Sequence, residues 1–425
     1  MNIPFANTPA ADAAALTIRG ITRRYYTVWL AYAFGGSFVY GVYPLFLRSR
    51  GLDQFEINSV LATYFIVTFL TDVPTGAFAD ALGRRRSFIL GCALRVIAFM
   101  VYFFSYRYPF FLLGETIDGV GTTFCNGAID AWGVDALDHA GFEGLKDRLF
   151  SRISQLTNLG FMTGAVIGAY VADLNIAWPW VLGAAGYLAS AFVGASLMHE
   201  SPLHAAPVAM RAIPAQVAQR VANGLRQGLA SRAVLLLSLA NAVFFAAWAP
   251  YWLQWPQFFN DSFHRGMWIV GWVFSLFTVA RMLGAEAIIH LYASEATRAT
   301  RLCWLIVVVG AILFIAGAAG HRPFFVLAVL TAMNVCNGLM QPLTQSWFNE
   351  QIGSGERATL LSFNSTFATA GGSIGLLVNG MIADARGISV AWEFSALVSL
   401  AALPCYWYLR PRATTSASTL TQAPS

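Results

Sequence analysis

The chain has 425 residues, enough for two or three soluble domains, but 57% are hydrophobic and only 11% are charged, where a soluble chain carries about a quarter charged. That composition belongs to a membrane protein and excludes a disordered chain or a disulfide-stapled secreted domain. The 26 basic and 21 acidic residues leave +5 with no dense basic tract, which excludes a nucleic-acid binder. Cys92, Cys125, Cys303, Cys336 and Cys405 all lie in apolar stretches without metal-ligand spacing, so they read as packing residues; no metal and no cofactor is expected. The first 24 residues lack the apolar core of a signal peptide, so the first hydrophobic run is expected to remain as an anchor.

In chain order, windows of about 20 apolar residues centre near residues 36, 67, 96, 121, 162, 188, 245, 279, 310, 336, 370 and 399. Twelve helices and no strands make an all-α membrane protein. The polar stretch at 199–232, with an amphipathic helix over Pro214–Ser231, divides a bundle at 24–198 from a bundle at 233–409. A tail precedes it at 1–23, and a Ser/Thr/Pro-rich disordered tail follows at 410–425. With the N-terminus inside, eighteen of the basic side chains fall on inner segments and six on outer loops. That bias predicts an inner-membrane protein with both termini in the cytoplasm, and a monomer is expected.

The halves resemble each other. Pro109-Phe110-Phe111 recurs as Pro323-Phe324-Phe325, Cys125-Asn126-Gly127 as Cys336-Asn337-Gly338, Ala172-Asp173 as Ala383-Asp384, and Ala177-Trp178 as Ala391-Trp392. Four matches in order, at about half the chain length, indicate two parallel six-helix repeats with a site between them near the midplane.

Between spans 2 and 3 the chain reads Gly76-Ala-Phe-Ala-Asp80-Ala-Leu-Gly83-Arg84-Arg85-Arg86. The pattern resembles the loop 2-3 signature of the major facilitator superfamily (MFS), with Ala81 in place of the first basic residue. Gly76 would let helices approach, Gly83 would permit a tight turn, and Asp80 would sit at a neighbouring helix N-terminus. The resemblance implies the MFS fold and a conformational gate made of Gly76, Asp80, Gly83, Arg84 and Arg86. The stretches Gln341–Glu350 with Glu356–Ser362, and Gly127–Asp135, resemble the drug and metabolite exporter branch. Two features depart from that branch. Gly160, Gly164 and Gly168 keep a glycine spacing without the proline or the closing glycine pair, and Glu115 stands where many exporters carry arginine.

Ionisable groups inside spans are costly and therefore functional candidates. Glu115, Asp118, Thr122 and Asn126 share one face of span 4, and Asn334, Asn337, Gln341 and Gln345 repeat the spacing in span 10. In the resembled family spans 1, 4, 7 and 10 line the cavity. Span 1 offers Tyr40 and Tyr43, and span 7 offers Asn241, Trp248 and Trp252, aromatic surfaces suited to an amphiphilic or cationic solute. Glu115 and Asp118, three residues apart, would hold a shared proton. Asp72 and Arg95 lie at similar depth and are expected to pair, as a structural ion pair or as one that breaks and reforms with transport and shares in proton coupling, with Arg281 able to join them or to meet an anionic group.

The expected activity is movement of a small organic solute across the bilayer by alternating access, proton-coupled and outward. Proton-linked uptake, facilitated diffusion and a non-transporting receptor are the alternatives. None of the six histidines falls on a polar stripe, so catalysis is not expected.

Overall fold

The computed structural model describes residues 9–142, 146–199, 222, 224–290, 295–320, 322–352 and 357–410. The N-terminal eight residues, most of the predicted central loop and the tail beyond Arg410 lie outside them. Besides a short helical stretch at 224–230, the described residues form fourteen helices and no strand: α1 Pro9–Ser37, α2 Tyr43–Ser49, α3 Gln54–Leu82, α4 Arg84–Phe104, α5 Tyr108–His139, α6 Lys146–Leu174, α7 Trp178–Leu197, α8 Arg232–Phe263, α9 Trp268–His290, α10 Glu295–Ala318, α11 Pro323–Glu350, α12 Arg357–Arg386, α13 Ile388–Leu400 and α14 Leu403–Tyr408. Of the predicted amphipathic helix, residues 224–230 are helical, and Gly228 lies against the Phe363 ring.

Nine spans among the described residues are long and apolar enough to cross a bilayer, the last formed by α13 and α14 together. The other three long helices, α1, α5 and α6, have 29, 32 and 29 residues. Arg19, Arg23 and Arg24 on α1, five acidic residues along α5, and Lys146 and Arg148 on α6 dilute their hydropathy. Helices of about 30 residues reach roughly 45 Å at 1.5 Å per residue, so those charged ends project past a hydrocarbon core of about 30 Å. With these three, the twelve predicted crossings are present.

The first set, α1–α7, packs α4 and α3 on α5, and α1 on α6 and α7. The second, α8–α14, packs α8 on α12, α9 on α11 and α10 on α13, and the two sets meet where α3 lies on α12 and α6 on α9. The glycine stripe of α6 serves packing: a Cβ on Gly168 would lie 1.8 Å from the Phe38 carbonyl oxygen, and one on Gly164 1.7 Å from the Ser37 hydroxyl. Small residues there let α1 and α6 touch backbone to backbone.

The loop 2-3 residues depart from expectation in two places. Gly83 does make the turn, at φ 102°, a conformation open to glycine. Gly76, however, has no neighbour within 4 Å of an added Cβ, so it brings no helix close. Asp80 lies at the N-terminus of α4 but meets a side chain there, not the helix N–H groups: it pairs with Arg84, the first residue of α4, at 2.6 Å, and Arg84 extends to Asp135 at 3.7 Å. With a cation one turn along the chain, the carboxylate is neutralised locally. Arg86 is exposed.

Candidate functional site

A cavity of about 200 Å³ lies between the two sets of helices. Its walls come mainly from the first set: Tyr40 and Tyr43, Tyr64 and Phe65 of α3, Arg95 and Tyr102 of α4, Glu115 and Asp118 of α5, and Trp180 of α7. Trp252 and Leu253 of α8 close it from the second set.

Two carboxylates three residues apart sit on this wall, 5% and 7% exposed, too buried for water alone to satisfy them. Each has its own partner. Arg95 grips Asp118 with a two-point fork, Nε to Oδ1 at 2.9 Å and Nη2 to Oδ2 at 3.0 Å, while Nη1 donates to the Tyr32 hydroxyl at 2.8 Å. The guanidinium also lies 4.2 Å from the centroid of the Tyr187 ring. Gly121 makes room for this side chain, since a Cβ there would come within 2.8 Å of the Arg95 Cγ. The fork satisfies both charges in the geometry that suits a buried ion pair.

Glu115 has no ion-pair partner among the described residues. Its Oε2 accepts a hydrogen bond from the Tyr102 hydroxyl, and Tyr102 lies 3.2 Å from the Tyr43 hydroxyl. The Tyr102 ring is stacked on Trp180, centroids 4.0 Å apart and planes 7° from parallel, which fixes the phenol that meets the carboxylate. The cavity therefore holds one neutralised pair and one free carboxylate on a phenol relay.

The expected Asp72–Arg95 pair does not form. Arg95 faces α5, where Asp118 offers a bidentate match, and Asp72 is exposed. The polar stripe of span 10 also falls elsewhere, because α11 packs on α9 backbone to backbone, with Gly338 against the Arg281 carbonyl. Asn334 spends its amide on the Leu330 carbonyl at 2.9 Å and the Tyr251 hydroxyl at 3.4 Å. Asn337 is buried, and Gln341 and Asn126 are exposed; none of the four lines the cavity. Thr122 is buried one turn from Asp118. Asn241 bonds Asn364 at 3.4 Å, and Trp248 stacks on Phe244, so both belong to the packing of the second set. Sequence reasoning missed Tyr102 and Trp180. Tyr102 stands seven residues after Arg95, two turns along the same face, and that spacing was the available signal.

One end of the molecule is clamped shut across the two sets. Asp384, at the end of α12, accepts from the backbone N–H groups of Gln54 and Phe55 at the start of α3, both at 2.8 Å. Asp173, at the end of α6, accepts from Met267 and Trp268 at the start of α9, at 2.5 and 3.0 Å. The free N–H groups and positive dipole end of a helix favour a carboxylate there. Arg48 and Asp261 add an ion pair at 2.5 Å, and the Gln257 amide donates to the Gln54 side chain at 2.9 Å.

The model of the Major Facilitator Superfamily matches residues 27–352 and again 237–424. The chain belongs to this superfamily, as a multi-span membrane protein. It is 22% identical over 169 residues to multidrug resistance protein 2 of Bacillus subtilis (strain 168), covering 39% of this chain and 41% of that one. It is 23% identical over 167 residues to the quinolone resistance protein NorA of Staphylococcus aureus (strain Mu50), covering 39% and 42%. The matches thus span about two fifths of these curated relatives. The crystal structure of the nucleoside transporter NupG superposes with a TM-score of 0.70 at 16% identity, covering 91% of this chain and 98% of that chain, which shows the MFS fold.

Proposed function

We propose that the chain exports a small aromatic organic solute in exchange for protons, by alternating access about the central cavity. One observation carries this reading: Glu115 is a buried, cavity-lining carboxylate with no cation of its own, held by the Tyr102 phenol. A group so placed can hold either a proton or a cationic part of the solute, and competition between the two couples their movements. The Arg95–Asp118 fork leaves Glu115 as the exchanging member of the predicted carboxylate pair. Tyr40, Tyr43 and Trp252 supply flat surfaces for an aromatic body.

The bias of basic residues assigns the clamped end to the outside, so the molecule is closed outward. The gate residues of loop 2-3, Gly83, Arg84 and Arg86, then lie on the cytoplasmic side with both termini. Outward transport is supported by the two resistance proteins among the relatives.

The test is flux of aromatic amines, benzylamine first, in proteoliposomes under an imposed pH gradient. Wild-type protein is expected to accumulate the amine against its gradient. Glu115→Gln is expected to abolish gradient-driven accumulation while amine-for-amine exchange persists. Binding without any flux would make the protein a receptor and end the proposal.

A further inference from the structure

Among the described residues, two arginines lie well inside the spans, and they are treated differently. Arg95 is locked on Asp118. Arg281 of α9 has no hydrogen-bond acceptor and no carboxylate partner among the described residues; Asp72, at similar depth, is exposed and does not reach it. No Arg281 nitrogen is sealed in the packing without a partner, and the residue is partly exposed. An uncompensated cation at membrane depth is costly, and it persists where it faces a cavity or meets a ligand.

The surroundings hold this cation in place. The guanidinium lies 5.8 Å from the centroid of Trp252, the ring that closes the central cavity from the second set. Behind it, α11 presses on α9 at the Arg281 carbonyl, where a Cβ on Gly338 would come within 2.1 Å. Next along α11, Asn337 is buried with both amide atoms unpartnered, a polar capacity that the protein itself does not use.

The charges around the cavity therefore do not cancel within the protein. The Arg95–Asp118 fork is neutral, and what remains is a carboxylate on the first set, Glu115, which lines the cavity, and a guanidinium on the second, Arg281, which lies 5.8 Å from the centroid of the Trp252 ring that lines it. We infer that the solute carries an anionic group, a carboxylate or its equivalent, which is recognised by Arg281. Together with the cationic group that Glu115 would take, this makes the cargo a dipolar aromatic solute rather than a simple amine. The inference rests on the proposed transport reading for its cavity and adds the class of the cargo. Arg281 is a specificity residue that acts on a group the solute presents to the second set.

Calorimetric titration of purified full-length protein with three probes of one size tests it: 4-(aminomethyl)benzoate, benzylamine and benzoate. Wild-type protein is expected to bind 4-(aminomethyl)benzoate more tightly than benzylamine. Arg281→Gln is expected to weaken both carboxylates by about tenfold or more, the loss of one charge-assisted contact, and to leave benzylamine unchanged. Arg281→Lys should restore part of the affinity for the carboxylates. Wild-type protein that binds benzylamine as tightly as the dipolar probe overturns the inference, as does equal carboxylate binding in wild type and Arg281→Gln. Benzylamine flux in liposomes reports on the transport reading separately. Intact proton-driven flux with Arg281-independent carboxylate binding removes this inference alone; Arg281-dependent binding without flux of any probe removes the transport reading alone.

Discussion

Asp173 and Asp384 occupy equivalent places in the two repeats and make the same contact, each setting both carboxylate oxygens on two backbone N–H groups at the start of a helix in the other set. The repeat Ala172-Asp173 and Ala383-Asp384 is thus a pair of latches. Because each joins the two sets, opening this end must break both.

The latches carry the first prediction. Asp173→Ala with Asp384→Ala removes four charge-assisted hydrogen bonds, and even one or two kcal/mol per latch amounts to about a tenfold or greater shift toward the open form. Labelling of Ile57→Cys, a position 1% exposed beside the Asp384 latch, by an impermeant maleimide should accelerate accordingly in the double variant. An unchanged rate would show that the latches do not hold this end.

The Arg95–Asp118 fork makes a second prediction about stability. Arg95→Met or Asp118→Leu alone strands a charge in a site where both side chains are about a tenth exposed, at a cost of about 3–5 kcal/mol. The double variant replaces the pair by apolar groups and should recover most of the lost Tm in detergent. If the double variant is no better than the worse single one, the pair is not the source of the loss.

Helix packing supplies a third. Gly168→Ala drives a methyl into the Phe38 carbonyl, whereas Gly160→Ala makes ordinary contacts with Leu30 Cδ1 at 3.5 Å and Ala33 Cβ at 4.0 Å. The first should lower stability by roughly 1–3 kcal/mol or more, and the second should be nearly silent. Similar melting temperatures for the two would contradict the close approach of α1 and α6.

The phenol relay gives the fourth. Tyr102→Phe keeps the stack on Trp180 but removes the donor to Glu115, so gradient-driven amine flux should fall about tenfold or more, the kinetic equivalent of losing a hydrogen bond to a charged group. Tyr43→Phe, one bond further along the relay, should have a smaller effect. Initial rates in proteoliposomes at matched protein density check the order, and a larger loss in Tyr43→Phe would reverse the relay as drawn.

Class, span number, the internal duplication and the family signature were all legible in the sequence, because each depends on local pattern: about 20 apolar residues to cross a bilayer, a repeated string at a half-chain offset, a glycine at a turn. Even here α1, α5 and α6 escape a simple hydropathy test, since their charged ends and the polar face of α5 offset their apolar residues.

Partner choice was settled only in three dimensions. Depth alone pointed Arg95 to Asp72, but α4 presents it to α5, where Gly121 gives room and Asp118 is its partner. The stripes on spans 4 and 10 had equal spacing, yet Glu115 and Asp118 of the first line the cavity, whereas Asn334 and Asn337 of the second are buried away from it. Helical periodicity says which residues share a face. Which way that face points depends on contacts between helices far apart in the chain, and no spacing within one helix contains that information.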